Sequence, residues 1–493
     1  MTDEIIPPAH THRTLVLCFD GTGDQFDADN SNIVQFFSML QKDDPTQQMV
    51  YYQAGIGTYT IPQIATPFWA KFSKTIDMMV GSHLNAHVMG GYEFLMQNYE
   101  AGDKICIFGF SRGAYTARAL AGMVHKVGLL PRCNHQQVPF AYKMYTQDDE
   151  TGWKQSSAFK KAFSINVDIE FMGVWDTVSS VGVIPRRLPF TKASDNIRFF
   201  RHAMALDERR ARFKVNHWNR PSKEECALGV KKHEMPRSRK KHAKDHVKEG
   251  SSASNHHHEA SLQALERQYS QAITETDIEE VWFAGCHCDI GGGSVENGTR
   301  NSLARIPLRW MIRQCFKTNT GILFHRSMFK QIGMDPASLY PHVDPRPPAI
   351  YQTPLPPSPP GTPNSLKRLM VQAPQVIKND PMIVVYSDGG TFVNEEQEDL
   401  ADALSPAYDQ LSIAPYWWVL EVLPQKQHYQ RDEDNSWAKD MTVNMGEGRH
   451  MPRQRQVGVK VHRSVKIRME ADGLGQGKYW PKAKLKVEPE WVD

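Results

Sequence analysis

The chain has 493 residues, 40% of them hydrophobic and 23% charged, with 58 Lys+Arg against 55 Asp+Glu. That is the make-up of a globular enzyme with material for a large core, and a formal net charge of +3 implies no global field for nucleic acid. No run of about twenty apolar residues occurs, so no transmembrane helix is expected.

Residues 1–13 are polar, with no apolar run resembling a signal peptide, and an intracellular address is the default. Thr14–Asp20 is a short, nearly continuous apolar run ending in Gly21-Thr22-Gly23, the pattern of a strand buried on both faces. Residues 49–53 read as another strand. Leu84, Val88, Tyr92, Leu95 and Tyr99 recur at spacings of three and four, marking one face of a helix that Gly102-Asp103 stops. Lys104–Phe110 is the next buried strand, and a second helix follows Ser111 at once. Ala117, Leu120, Val124 and Val127 lie on one side of it, and Gly128 ends it. Ile169–Trp175 runs into Asp176, and Val281–Ala284 runs into Gly285-Cys286-His287. Strands alternating with helices predict an α/β fold, α/β-hydrolase-like, with a mostly parallel central sheet flanked by helices.

Two stretches interrupt this pattern. Residues 221–260 are basic and then serine- and histidine-rich, which predicts a disordered insertion; its stretch 231–248 offers a nuclear address besides the cytoplasmic default. Residues 336–365 are proline-dense and predict an extended linker or surface loop. The expected organisation is therefore a tail (1–13), a catalytic domain (14–335) carrying the insertion, that linker, and a C-terminal region (366–493) packing on the domain. Within this last region, Val457–Met469 alternates as a strand would.

The chemistry concentrates at Gly109-Phe110-Ser111-Arg112-Gly113, between a strand and a helix. A serine on so sharp a turn projects its hydroxyl beyond the sheet, and the flanking glycines permit close backbone packing. The hydroxyl needs a base, and the base an orienting carboxylate. In chain order the candidates are Asp176 at a strand end and then His287 after another strand. Asp289 and His462 are the alternatives for carboxylate and base. The amide of Arg112, with Gly21 or Thr22 from the first glycine turn, would form the oxyanion hole. Asp207 and Glu208 are expected on a helix in a salt-bridge role.

The seven cysteines are scattered and read as free thiols; Cys286 and Cys288 flank His287, but no second pair at zinc-like spacing accompanies them, so neither metal nor cofactor is expected. Phe19-Asp20-Gly21-Thr22 is similar to the start of a haloacid-dehalogenase phosphatase, but that chemistry needs an aspartate where Cys18 stands. A catalytically silent binding protein on this fold is the alternative from another class.

Taken together, FDGTGD, GFSRGAYTARALAG, GVWDTVSSVG, HAMALDERRARF and FAGCHCDIGGG resemble an uncharacterised α/β-hydrolase domain of fungi and bacteria. The same domain is the catalytic part of bacterial type VI secretion phospholipase effectors. APYWWVLEVLP and GRHMPRQRQVGVKVHRSVKIR extend the likeness towards residue 469. The resemblance implies a nucleophile at Ser111, an acid at Asp176 and a base at His287. Cys288 departs from it, standing where that family usually has serine. Its implied activity is hydrolysis of ester or phospholipid acyl bonds. Separately, the apolar-basic segment 183–200 reads either as the lid of a lipase in peripheral contact with a membrane surface or as an ordinary surface loop.

Overall fold

The computed structural model describes residues 4–8, 12–21, 24, 26–55, 69–178, 188, 196–218, 276–351, 392, 394–430, 437–452, 454–471 and 478–493. Thr22, the whole of the basic stretch 221–260, most of the 183–200 segment, and residues 352–391 lie outside the described residues.

The first strand, β1 (Ile5–Ile6), pairs only with the short β8 (Phe324–His325). The body is an eight-stranded sheet. It is built from β2 (Thr14–Phe19), β3 (Gln48–Gln53), β4 (Lys104–Phe110), β5 (Ile169–Trp175), β6 (Ile197–Ala205), β7 (Asp277–Phe283), β11 (Lys460–His462) and β12 (Glu490–Val492). Its order is β12-β11-β7-β6-β5-β4-β2-β3, and every neighbouring pair is parallel. The remaining strands, β9 (Gln425–Gln430) and β10 (Trp437–Thr442), form a separate antiparallel hairpin.

Both faces of the central strands are covered, which is why they read as unbroken apolar runs. Leu15, Leu17 and Phe19 of β2, with Ile105 and Ile107 of β4, pack under helices α2 (Trp69–Asn98) and α3 (Ser111–Val127). Their neighbours Val16, Cys18, Cys106, Phe108 and Phe110 point the other way, against α1 (Asn32–Met39) and the helix Arg305–Lys317. Of the residues predicted to form the inner faces of the first two long helices, Leu84, Val88, Tyr92 and Leu95, then Ala117, Leu120, Val124 and Val127, are buried, while Tyr99 follows the end of α2 and is partly buried against the same core. Among the described residues no helix is long and apolar enough to cross a membrane.

The C-terminal region does more than pack on the sheet, because β11 and β12 complete it. The predicted strand over 457–469 is realised only at Lys460–His462. There the His462 side chain accepts from the Ser464 amide and starts the helix Arg463–Glu470, so the alternation gives way to a helix cap. Arg305, Arg309 and Arg313, one turn apart on their helix, face the acidic helix Glu395–Ala403. Arg305 meets Glu398 at 2.8 Å, Arg309 meets both Asp399 and Asp402 at 2.7 Å, and Arg313 meets Glu395 at 2.5 Å. Arg346, in the proline-dense stretch, joins them through Asp399 at 2.9 Å, and Arg463 through Glu396 at 3.3 Å. Over residues 341–351 that stretch is irregular and mostly exposed, and Arg346 is the point that ties it to the body of the protein.

Removing one partner of such a network leaves uncompensated charge in a dry interior. Arg309, only 2% exposed, is the most consequential. Arg309→Ala is expected to cost about 3–5 kcal/mol of stability, read from the urea unfolding midpoint, while an exposed control such as Arg132→Ala shifts it by less than about 1 kcal/mol.

Candidate active site

The site stands at the C-terminal ends of three strands, and each end carries a backbone constraint. Ser111 follows β4 as the first residue of α3 with φ +57°, a left-handed conformation that L-residues adopt at a cost of about 1–3 kcal/mol. The flanking glycines make it feasible. A Cβ at Gly109 would sit 2.6 Å from the Ala114 Cα, and one at Gly113 would sit 2.3 Å from the carbonyl oxygens of Phe19 and Asp20. Those neighbours are backbone and cannot give way.

Asp176 follows β5 with φ +42°. Its turn is held by its own amide donating to the Ala203 carbonyl (2.8 Å), by the Ala205 amide donating to its Oδ1 (2.9 Å), and by the Thr177 amide donating to His202 Nε2 (3.1 Å). His202 is in turn fixed through Nδ1 to Glu280 at 2.9 Å. His287 opens the short helix His287–Gly291 after β7. The Asp289 carboxylate accepts from the Cys286 amide at 2.8 Å, closing a capping box around the imidazole-bearing turn.

These constraints bring three predicted residues together. His287 Nε2 lies 2.8 Å from Ser111 Oγ, and His287 Nδ1 lies 2.5 Å from Asp176 Oδ2. All three are buried. Burial lowers the His287 pKa below the ordinary 6.5, against the opposing pull of Asp176. Burial raises the Asp176 carboxyl, but the charges and hydrogen bonds of Arg449 and His287 outweigh it and hold the group well below the usual carboxylate range. The stable arrangement at neutral pH is a carboxylate accepting from Nδ1–H, and a neutral imidazole whose Nε2 accepts from the serine hydroxyl. Such a pair can take the hydroxyl proton and return it.

Arg449 is the residue that reading by motif missed. Its guanidinium grips both oxygens of Asp176, at 2.5 and 2.8 Å, and spends further N–H groups on the carbonyls of Ala205 and Phe213. The imidazole itself is walled by two rings, Phe110 and Phe213, each 4.8 Å away between centroids. Arg210 lies over Phe213 at 3.5 Å and is paired with Glu208, which also accepts from the His287 amide at 3.3 Å.

The other predicted residues fall elsewhere. Asp289 accepts from the Cys286 and Tyr408 amides and is a cap, with burial raising its pKa to about 6. His462 caps its own helix, stacks on Phe283 at 4.9 Å and is pushed by burial to a pKa of about 3. Its Nδ1 pairs with Ser464 Oγ, and its ring is committed there. The Gly21 amide donates to Asp20 Oδ1 at 2.8 Å, so it is turned to a carboxylate and does not offer the free donor expected of it. Asp20 draws the amide because its two oxygens also take Ser31 and Tyr52, which fixes it beside the turn. Arg112, second in α3, has an amide with no carbonyl in its own helix to meet. Asp207 and Glu208 are in a loop after β6, not on a helix; Asp207 binds the Gly285 amide, Tyr479 and the Lys482 amide. Cys286 serves as the helix cap, and among the described residues no three His, Cys, Asp or Glu side chains cluster to hold a metal ion.

A family model described as the type VI secretion phospholipase effector Tle1-like catalytic domain matches residues 13–314. An uncharacterised protein of Saccharomyces cerevisiae is 37% identical over 228 residues, which are 43% of this chain and 33% of that relative. The match thus spans about a third of the yeast protein's length. Among solved structures, an uncharacterised protein from Pseudomonas aeruginosa aligns with a TM-score of 0.31 at 16% identity, over 63% of this chain and 46% of that one. The Tle1 effector bound to the VgrG spike of the type VI secretion system aligns with a TM-score of 0.28 at 15% identity, over 68% and 78%.

A group with a depressed pKa contributes stability above its unfolded value and loses it as pH falls towards its folded one. Arg449→Ala should therefore destabilise most at neutral pH, by about 3–5 kcal/mol. The gap from wild type should narrow as pH falls below about 4, when the unfolded carboxylate is protonated; urea unfolding at pH 7 and pH 4 measures it.

Proposed function

This chain belongs to the type VI secretion phospholipase effector Tle1-like catalytic domain family, and from that premise we propose that it is a serine hydrolase of carboxylic esters, with phospholipid acyl esters as the substrate class. The observation that carries the reading is the continuous hydrogen-bond path from Ser111 through His287 to Asp176.

In the proposed mechanism, Ser111 Oγ attacks the ester carbonyl carbon while His287 Nε2 takes its proton. Asp176, held ionised by Arg449, stabilises the imidazolium and keeps Nδ1 as the donor. The Arg112 amide supports the oxyanion; the second donor would come from the glycine turn at Thr22. His287 then hands its proton to the leaving alkoxide, and the acyl group stays on Ser111. Water enters, His287 takes its proton, and the acyl-enzyme breaks to acid and free serine. Family membership supports a lipase-type reaction, and a neutral imidazole bonded to both Ser111 and Asp176 supports acyl transfer in particular.

Two measurements test this. Across a panel of short- and long-chain esters and phospholipids, Ser111→Ala should lower kcat by about four to six orders of magnitude. A fluorophosphonate probe should label wild type and not the variant. A folded wild-type protein that neither cleaves nor labels would instead favour a catalytically silent binding protein.

The pH profile is the second signature. Because His287 is held below its ordinary pKa of 6.5 by burial, it remains an unprotonated base into mildly acidic solution. The acid limb of kcat/KM is therefore expected to have its midpoint below pH 6.5. A midpoint above 7 would mean that the titrating base is not this imidazole.

A further inference from the structure

Most of the large apolar side chains that the described residues expose are gathered in one place. Ile413, Tyr416, Trp418, Val419, Val422 and Leu423 come from a run of short helical turns, and Met441, Val443 and Met445 come from a second stretch. Tyr416 is 66% exposed and Val419 62%. Within Leu411–Pro424 the single charged residue is Glu421, and it is only 1% exposed. The usual sense of a surface turn is inverted here, with charge inside and apolar groups outside.

The face is a fixed one. Glu421 ties its two stretches together and to the rim of the site. Its carboxylate accepts from the Ala211 amide (2.6 Å), the Asn444 side chain (2.5 Å) and the Gly446 amide (3.1 Å), and its carbonyl accepts from the Met445 amide (3.1 Å). The Trp418 indole donates to the Leu411 carbonyl at 3.1 Å. Two arginines at its base are matched by carboxylates, Arg209 by Asp409 and Arg210 by Glu208, and Lys214 donates to the Asn444 side chain.

A file of rings joins this face to the chemistry. Exposed Tyr416 lies 5.6 Å from Trp417, Trp417 lies 5.6 Å from Phe213, and Phe213 lies 4.8 Å from the His287 imidazole. Ser111, at the inner end, is 5% exposed.

We propose that this face docks on a phospholipid bilayer, so that an acyl chain passes from the lipid phase along the ring file to Ser111; the inference rests on the ester-hydrolase reading above. A protein partner, or a second copy of this chain, bound on this face would stay over the outer end of the file and obstruct it. A lipid surface covers the same side chains and supplies the substrate. Tyrosine and tryptophan suit the boundary between headgroups and acyl chains. Its exposed side chains are apolar and Arg209 and Arg210 are paired with carboxylates, so the face adheres through apolar burial; neutral phosphatidylcholine suffices and added salt changes binding little.

The test uses the full chain carrying Ser111→Ala, which leaves the lipid intact, sedimented with sucrose-loaded phosphatidylcholine vesicles. Adding Val419→Asp and Leu423→Asp should weaken partitioning by about 100-fold or more, with the urea unfolding midpoint unchanged as the folding control. Unchanged partitioning in that variant overturns the proposal, as does a parent that binds no vesicles. A parent that is dimeric by sedimentation equilibrium, and that the two substitutions render monomeric, also overturns it in favour of a copy-to-copy interface. Vesicle binding is read without turnover, so a chain that docks but cleaves no ester refutes the hydrolase reading and not the docking face.

Discussion

The pairing of Arg449 with Asp176 is the constraint on which the rest of the site depends. A carboxylate wholly removed from water is unstable unless opposite charge and hydrogen bonds surround it. Here both oxygens are claimed by the guanidinium, one also by the Ala205 amide and the other by the His287 ring. With the acid so held, the imidazole has one stable orientation, and its far nitrogen faces Ser111. A single ion pair thus settles a charge state, a tautomer and a direction.

The same site is built on backbone that the chain would otherwise avoid. Ser111 and Asp176 both have positive φ, and each of them ends a buried parallel strand. Strain of this kind survives only where the surroundings leave no alternative. At Ser111 the alternative is removed by backbone packed against Gly109 and Gly113. At Asp176 it is removed by hydrogen bonds on both sides, the Glu280-fixed His202 holding the next amide. The rigidity of the parallel sheet therefore passes directly into the geometry of the hydrogen-bond path from Ser111 through His287 to Asp176.

Much of this was legible in the sequence for one physical reason. Strands buried on both faces are continuous apolar runs, and a polar residue directly after such a run must stand at the sheet's C-terminal edge. Ser111, Asp176 and His287 each follow one, so their positions could be read without knowing how the strands pair. The second half of the chain was opaque for the opposite reason. Arg449 sits among loops, with no period and no flanking run, and reaches Asp176 across a sequence separation of 273. The arginines at 305, 309 and 313 did carry a signal, the four-residue repeat of one helix face. A row of cations nevertheless reads as a solvated surface until the acidic row that neutralises it is found about ninety residues later. His462 misleads in the same way. It stands as the alternative base within a strand-like stretch, but it is the last residue of β11 and its ring is spent as a helix cap.

These long-range ties explain why the catalytic region and the C-terminal region form one structure. The family match ends at residue 314, yet the last two strands of the sheet come from beyond residue 459 and the partner of Asp176 from residue 449. The acidic helix Glu395–Ala403 and the arginines facing it bind the intervening chain to the body through buried charge. Arg463 belongs to that same network and starts the helix that directly follows β11. The acidic helix, the last two strands of the sheet and Arg449 are therefore all tied to the same body. The carboxylate next to His287 acquires its counter-charge only when the far end of the chain is in place, so a polypeptide cut after the matched region would bury Asp176 without the group that keeps it ionised.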